Sequence, residues 1–203
     1  MTGPQHAKIK ELILEQNATV HCSCVSGDPS KTHEDEIWDF KDDDRFREYA
    51  PDDPYSAAWH LWHSARIEDI CSHYFISGTE QVFERKKYQK RMKCGFTTTG
   101  NEFDDAHMKR FNSEIDLREL RNYRVDVGKE TRRIIEKMDP QILTSKVDPK
   151  TLGKIMDGGN IGESSEWLLA FWGKKRISGI IAMPLTRHIL VHLNETRKKL
   201  KLR

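Results

Sequence analysis

The sequence lacks any long hydrophobic run, because no stretch approaches the 18 consecutive apolar residues that mark a transmembrane helix. It also lacks an excess of charge of one sign, since 34 Lys and Arg residues stand against 32 Asp and Glu residues in a chain of 203. A net charge of +2 creates no field that would attract nucleic acid or an anionic membrane. We therefore expect neither a nucleic-acid partner nor a membrane partner.

Signals for secretion and for cysteine chemistry are equally sparse. The segment Met1 to Glu11 holds no apolar core and no small-residue cleavage site, so we expect a cytoplasmic protein. The four cysteines form no Cys-x-x-Cys pair, and Cys22 and Cys24 are only two positions apart. Reduced and mostly inert thiols are expected in a cytosolic chain of this kind.

Several common catalytic motifs are missing as well. The sequence contains no Gly-rich phosphate loop, no Gly-x-Ser-x-Gly and no His-Glu-x-x-His. Phosphoryl transfer and serine hydrolase chemistry therefore find no support. The most informative residues that are present are nine histidines.

Apolar residues recur at helical spacing along most of the chain, and no alternating strand pattern of useful length occurs. The pattern predicts four principal helical regions and three loops. The helices are expected at about residues 4–24, 56–76 and 116–138 and in the last 40 residues, where Pro184 should break or bend the helix, and the loops at 41–54, 94–105 and 147–162. We predict a single all-α domain over residues 1–203, a four-helix bundle with short extra helices in its loops.

Two histidines, His188 and His192, stand one helical turn apart near the end of the chain. On a helix their Cβ atoms would lie about 5–6 Å apart on the same face. They share a stripe with Ile181 and Leu185, which directs both imidazoles toward the core. Buried imidazoles need partners, and one divalent metal ion would supply both. The alternative is a core histidine bonded to its neighbours, with the second histidine at the rim.

A second pair, His60 and His63, lies on the predicted second helix. His63 falls on the apolar stripe of that helix, and His60 lies one turn earlier. If the second and last helices are neighbours, one of these residues completes a three-histidine site with open positions, as catalytic metal sites have. His60 could equally be a half-exposed helix residue.

Other side chains near these histidines could support the chemistry. Glu68 and Glu195 lie on turns from which a carboxylate could orient an imidazole N–H, although both could be solvated charges. Arg187 and Asn194 flank the last pair and could contact a substrate carboxylate. The five other histidines are expected to be ordinary surface residues: His6, His21, His33, His73 and His107. Five aromatic residues are expected in the core, with a cofactor-facing role as the alternative: Trp59, Trp62, Trp167, Phe171 and Trp172.

Two segments together resemble a known family. Residues 55–69, YSAAWHLWHSARIED, are similar to the second helix of the DinB-like metal-binding four-helix bundles, and residues 183–195, MPLTRHILVHLNE, are similar to the last helix of that family. Position by position, the resemblance implies that His63, His188 and His192 bind one divalent ion, most often nickel or zinc. His60 falls outside the family pattern, which makes it a candidate for contacting the metal ligands rather than the metal ion itself.

The resemblance also implies an up-and-down bundle with a long crossover connection, commonly assembled as a homodimer. Characterised relatives are thiol-dependent: some transfer low-molecular-weight thiols such as bacillithiol, and others are mycothiol-dependent maleylpyruvate isomerases. A metal ion held by three neutral ligands keeps the charge that lowers the pKa of a bound thiol. We therefore expect a metal-dependent thiol transferase with a small-molecule substrate and a thiol cosubstrate. A non-catalytic metal-binding or stress-response bundle and a metal-dependent hydrolase remain as alternatives.

Overall fold

The computed structural model describes residues 3–202, apart from the side chains of residues 3, 4 and 6, so the prediction for His6 lies outside the described residues. Within this range the chain is helical and contains no strand, only isolated bridges between Ala50 and Asp53 and between Lys146 and Arg176. The predicted all-α class is confirmed. None of the described helices has the length and apolar character needed to cross a membrane.

The helices vary widely in length, and two of them continue into π-helical turns. The α-helices are α1 (Gly3–Thr19), α2 (Ser23–Ser26), α3 (His33–Asp39), α4 (Asp43–Arg47), α5 (Ala57–Ser72), α6 (Val82–Arg85), α7 (Tyr88–Arg91), α8 (Asp105–Glu114), α9 (Leu117–Lys137), α10 (Pro149–Asp157), α11 (Trp167–Gly173), α12 (Ile177–Ala182) and α13 (His188–Lys199). π-Helical turns cover His73–Ser77 and Met183–Arg187, and 3-10 turns cover Pro140–Thr144 and Glu163–Ser165.

The ends of α5 and α9 follow directly from local sequence signals. The Ser56 hydroxyl accepts the Trp59 N–H at 3.0 Å and caps the start of α5. The π turn after α5 ends at Gly78, whose φ of +68° suits a residue without a Cβ. The Asp116 carboxylate accepts the Glu119 N–H at 3.1 Å and caps the start of α9.

Two predicted helix and loop boundaries elsewhere in the chain are wrong. The first helical region divides into α1 and α2, because the chain leaves the helix at residues 20–22 and places His21 in the interior. The predicted loop at 147–162 contains α10, whose start has a clear local cause. The Asp148 carboxylate accepts the Lys150 N–H at 2.9 Å, and Pro149 occupies the first helical position, where its missing N–H costs nothing.

Helix α5 runs through the middle of the molecule, and all of its residues are buried. Its apolar surface is therefore wider than the single predicted stripe, because α9 and α13 both pack along it and α4, α6 and α8 contact it elsewhere. Buried charges on α5 are paired or hydrogen-bonded, because an isolated buried charge is costly. Asp69, for example, accepts the N–H groups of Val82 and Phe83 at 2.9 and 2.8 Å and the Tyr123 hydroxyl at 2.9 Å.

The core consists of two apolar clusters that meet along α5 and the C-terminal helices. One cluster contains Trp62 and Ile189, and the other contains Ile67 and Leu185. On α5, His63 lies between Trp62 of the first cluster and Ile67 of the second. In the last helical run, His188 lies between Leu185 and Ile189. The fold therefore brings the predicted metal ligands to the seam between the two halves of the core.

Pro184 does not break the last helical run but lies in the π turn that connects α12 to α13. Proline has no N–H to donate, and a π turn is one of the few helical arrangements that tolerates the loss. Within this turn the Thr186 hydroxyl donates to the Ala182 carbonyl at 2.8 Å. The turn sets the direction in which α13 leaves α12, and therefore where His188 lies.

The cysteine prediction is wrong for one pair, since the structure joins Cys22 and Cys24 in a disulfide. Spacing alone did not indicate this bond, because two positions is shorter than the familiar redox spacing. Cys71 and Cys94 are free and buried, as expected for inert thiols.

Candidate metal centre

Three imidazoles from distant parts of the chain converge between α5 and α13. The Nε2 atom of His188 lies 3.3 Å from Nε2 of His63 and 3.1 Å from Nε2 of His192. The ligand atoms of all three lie within 4.8 Å of one another, a geometry suited to holding a metal ion. His63 is buried, whereas His188 and His192 are partly buried, so the cluster sits close to the surface on the α13 side.

The spacing of these nitrogens matches the spacing of ligands around a small divalent ion. For a tetrahedral ion with metal–nitrogen bonds of about 2.0–2.1 Å, adjacent ligand nitrogens lie about 3.3–3.4 Å apart, and for an octahedral ion about 3 Å. The two measured separations, 3.1 and 3.3 Å, fall in this range. The Nε2 atom of His188 therefore already lies at ligand spacing from the Nε2 atoms of His63 and His192.

Hydrogen bonds on the far side of the rings fix which nitrogens are free. Nδ1 of His63 lies 2.6 Å from the Thr99 carbonyl, which can only accept, so Nδ1 donates and Nε2 keeps its lone pair. Nδ1 of His192 lies 2.8 Å from Nδ1 of His60, so His60 can accept the Nδ1 proton of His192 in the same way. Outer hydrogen bonds of this kind are the usual means of orienting metal-bound histidines.

His188 is left incompletely satisfied by the protein. Its Nδ1 atom is buried and has no hydrogen-bond partner. Its Nε2 atom faces the Nε2 atoms of His63 and His192, both of which are acceptors when their Nδ1 atoms hold the protons. A single proton on His188 can be shared with these two lone pairs, or a cation can take its place. The second arrangement satisfies all three lone pairs together.

The four histidines of the cluster are neutral at pH 7. Burial lowers the pKa of His63 to about 4, despite the opposing effect of the Thr99 carbonyl. Burial and the neighbouring imidazoles lower the pKa of His188 to about 3 and hold that of His192 well below its ordinary value. Burial, together with the nearby charge of Lys199, lowers the pKa of His60 to about 3. Neutral imidazole is the form that binds a metal ion.

The Trp59 ring holds the His63 imidazole in place. The two rings stack with their centroids 4.4 Å apart and an angle of 5° between their planes. The Trp62 ring stacks on Phe103 instead, with centroids 5.6 Å apart, and is completely buried in the core. Of these two tryptophans, Trp59 therefore contacts the site, whereas Trp62 supports the helix behind it.

The predicted orienting carboxylates lie elsewhere. Oε1 of Glu68 contacts Nε2 of His21 at 3.0 Å, and Glu195 pairs with Lys198 at 3.8 Å. The ring N–H groups of His63 and His192 are instead oriented by the Thr99 carbonyl and by the His60 imidazole, respectively. Every residue has a backbone carbonyl, so no residue type in the sequence could mark the Thr99 carbonyl as the partner of His63.

The two residues predicted to contact a substrate carboxylate are exposed. Arg187 and Asn194 both have high solvent accessibility. Asn194 lies two positions beyond His192 and therefore about 200° around the helix from that imidazole. Both side chains therefore lie on the solvent side of the last helical run.

Two histidines that were expected on the surface are instead buried in polar networks. His21 lies between Glu68 and Glu34, with its Nδ1 atom 3.7 Å from the Glu34 carboxylate. Glu34 forms a buried ion pair with Arg124. His73 is equally buried and lies 3.0 Å from the Asp69 carboxylate. The prediction is wrong for both residues, whereas His33 and His107 keep partly exposed side chains.

No protein-family model matches this sequence, and a search of curated proteins gives no match. The assignment of His63, His188 and His192 as candidate metal ligands therefore rests on their geometry.

Proposed function

We propose that the protein is a divalent-metal-dependent enzyme that transfers a low-molecular-weight thiol to an electrophilic small molecule. The observation that carries the proposal is the convergence of three neutral Nε2 atoms, from His63, His188 and His192, at metal-ligand spacing. The similarity of residues 55–69 and 183–195 to DinB-like bundles supports the reaction class. Imidazole ligands suit both nickel and zinc, as well as copper and iron.

The packing of the long helices is compatible with the bundle that the resemblance implies. Helix α9 contacts both α1 and α5, and α13 also contacts α5. The π turn before α13 contacts α1. We propose that α1, α5, α9 and the α12–α13 run form the four helices, with the remaining short helices inserted in the connections.

The chain's own residues would prepare the site in three ways. Thr99 and His60 hold the Nδ1 protons of His63 and His192, so the Nε2 lone pairs face a common point. The stacked Trp59 ring limits rotation of the His63 imidazole. Because all ligands are neutral, a divalent ion bound here keeps its +2 charge and lowers the pKa of a thiol, so that the thiolate predominates near neutral pH.

The transfer itself requires one bond to form and one to break. The sulfur electron pair of the thiolate forms the new carbon–sulfur bond, and the thiol proton has by then passed to solvent. The displaced group leaves with the electron pair of the bond that breaks. The protein's contribution is to hold the thiol and the electrophile together in a site from which the bulk of the water is excluded.

Elemental analysis of the purified protein tests the metal site. We expect about one divalent ion per chain, and its loss in His188→Ala and in His192→Ala. His33→Ala is the matched control, because that histidine has a side chain 42% exposed and lies on α3. A folded protein that holds no metal after growth in metal-supplemented medium would contradict the proposal.

A conjugation assay tests the reaction. The protein is mixed with a small thiol and a reactive electrophile, with and without a chelator, and the thioether product is measured. We expect a metal-dependent rate that is lost in His188→Ala. Metal binding without such a rate for any thiol would indicate a non-catalytic metal-binding bundle, and product formed without a thiol would indicate a hydrolase.

A further inference from the structure

A cavity of about 130 Å³ opens beside the three-histidine cluster. Its inner wall includes His63 and His188, two of the three candidate ligands. Ile67 on α5, Trp172 on α11 and Pro184 in the π turn complete the apolar part of this wall. A molecule in this cavity would therefore contact the imidazole rings directly.

The cavity provides no partner for a charged group. None of the lining residues that the structure describes is an aspartate, glutamate, lysine or arginine. Besides the two imidazoles and the indole N–H groups of Trp167 and Trp172, the described lining has one polar side chain, that of Asn101. Its Oδ1 atom already accepts the Thr99 hydroxyl at 2.7 Å. A carboxylate or an ammonium group placed here would lose its hydration and gain no opposite charge from the lining side chains. An anion would meet an opposite charge only at the metal ion of the proposed function or at Lys175, whose Nζ lies outside the lining, 3.9 Å from the centroid of the Phe171 ring.

The outer rim of the cavity exposes two large aromatic side chains. On α11, Leu168 and Trp172 face the core, whereas Trp167 and Phe171, one turn apart, are 56% and 38% exposed. Both of these exposed rings line the cavity. Paired exposed aromatic residues beside a pocket are typical of a ligand-binding surface rather than of a core.

The size of the cavity limits the ligand. An apolar cavity of about 150 Å³ engineered in another protein binds benzene. The volume of about 130 Å³ here therefore suits one six-membered ring, with a small substituent directed inward toward the imidazoles.

We propose that this cavity binds the electrophile and that the electrophile is an uncharged compound with a single aromatic ring. The ring would lie between Trp172 and Ile67 and beneath the rim formed by Trp167 and Phe171. The identity of the ligand as the electrophile rests on the proposed function, whereas the preference for an uncharged ring rests on the cavity alone. This proposal replaces the expectation that Arg187 or Asn194 contacts a substrate carboxylate.

Ligand-observed NMR on the purified full chain tests the proposal with two probes of the same ring size. Benzyl alcohol is uncharged, and benzenesulfonate is an anion that binds metal ions poorly. We expect benzyl alcohol to bind and benzenesulfonate to bind at least about tenfold more weakly, because its charge would be buried without a partner. Equal binding of the two probes would overturn the proposal.

Substitutions at the rim locate the binding. Trp167→Ala and Phe171→Ala should each weaken benzyl alcohol binding about two- to tenfold, the value of one aromatic contact. Leu190→Ala is the control, because Leu190 is a comparably exposed apolar residue on α13 that does not line the cavity. The same binding in all three variants as in the wild type would contradict the proposal, even if benzyl alcohol binds.

The metal content of the same samples separates this proposal from the proposed function. A protein that holds its metal ion but does not bind benzyl alcohol contradicts only the cavity assignment. A protein without metal that still binds benzyl alcohol through Trp167 and Phe171 contradicts the metal-dependent function and supports the cavity assignment.

Discussion

The Nδ1 atoms of His60 and His192 lie 2.8 Å apart, so a fourth imidazole stands directly behind one of the three candidate metal ligands. Two lone pairs cannot face each other at this distance, so one of the two nitrogens carries a proton. When His192 is the donor, its Nε2 atom becomes the lone pair that lies 3.1 Å from His188. His60 therefore determines the form in which His192 enters the cluster.

We expect His60→Ala to weaken metal binding about 10- to 100-fold without abolishing it, because the outer partner of a ligand is lost while all three ligands remain. His60→Asn keeps an acceptor close to the position of Nδ1 and should recover part of the affinity. Competition with a chelator of known affinity measures the effect, with His33→Ala as the control. Complete loss of the metal ion in His60→Ala would instead indicate that His60 is itself a ligand.

Some parts of the histidine cluster could be predicted from the sequence, and others could not. The spacing of His188 and His192 predicts that their side chains share a helix face, because it depends only on helical geometry. The approach of His63 depends on how α5 packs against α13. The two histidine pairs suggested it only on the condition that the second and last helices are neighbours, and the resemblance of two segments selected His63 rather than His60. The Thr99 carbonyl lies in a loop and belongs to the backbone, so no residue pattern marks it.

The buried charges could not be predicted for a similar reason. His21, Glu34 and Glu68 lie in three separate segments, and each one alone is typical of an exposed residue. Only the tertiary structure brings them together and makes their burial tolerable. By contrast, the start of α9 at Asp116 was predictable because the cap and the N–H that it accepts are three residues apart.

The stability of the protein should depend on pH through His21. Burial opposes the charged form, but Glu68 on α5 and Glu34 on α3 outweigh it and raise the pKa of His21 to about 9. The charge of Arg124 on α9 faces Glu34 and helps to hold the pKa of that carboxyl well below its ordinary value. Because the pKa of His21 is higher in the folded state, its contribution is complete below about pH 6.5 and is lost as the pH rises through about 9.

Comparison with His21→Gln isolates this contribution. The free energy of unfolding of the wild type should exceed that of the variant most at pH 6, and the difference should fall by up to about 3 kcal/mol between pH 6.5 and 9.5. Urea denaturation at several pH values measures it. A difference that stays constant across this range would show that His21 is not charged in the folded protein.

The Cys22–Cys24 disulfide predicts a specific labelling pattern. Without reductant, the denatured chain should take up an alkylating reagent only at the free thiols, Cys71 and Cys94. After reduction of the folded protein, Cys24 should react faster than Cys22, because Cys24 is exposed and Cys22 is only 1% exposed. Mass spectrometry of peptides gives the site and the rate. Labelling of all four cysteines in the unreduced denatured chain would contradict the disulfide.

Two helical glycines should respond in opposite directions to replacement by alanine. A Cβ at Gly128 in α9 would lie 2.7 Å from Nδ1 of the buried His21 ring, which Glu68 holds in place. A Cβ at Gly153 in α10 would meet no atom within 4 Å. We expect Gly128→Ala to lower the free energy of unfolding by about 1–3 kcal/mol, the usual result of overpacking. Gly153→Ala should raise it by up to about 1 kcal/mol, because alanine favours the helix.

The His21→Ala background identifies the cause of the difference at Gly128. Removal of the imidazole leaves space for the new methyl group, so Gly128→Ala should stabilise this background relative to His21→Ala alone. Gly153→Ala should have the same effect in both backgrounds, since its site is separate from His21. If Gly128→Ala destabilises both backgrounds equally, the steric contact with His21 is not the cause, and the position of His21 between α5 and α9 would have to be revised.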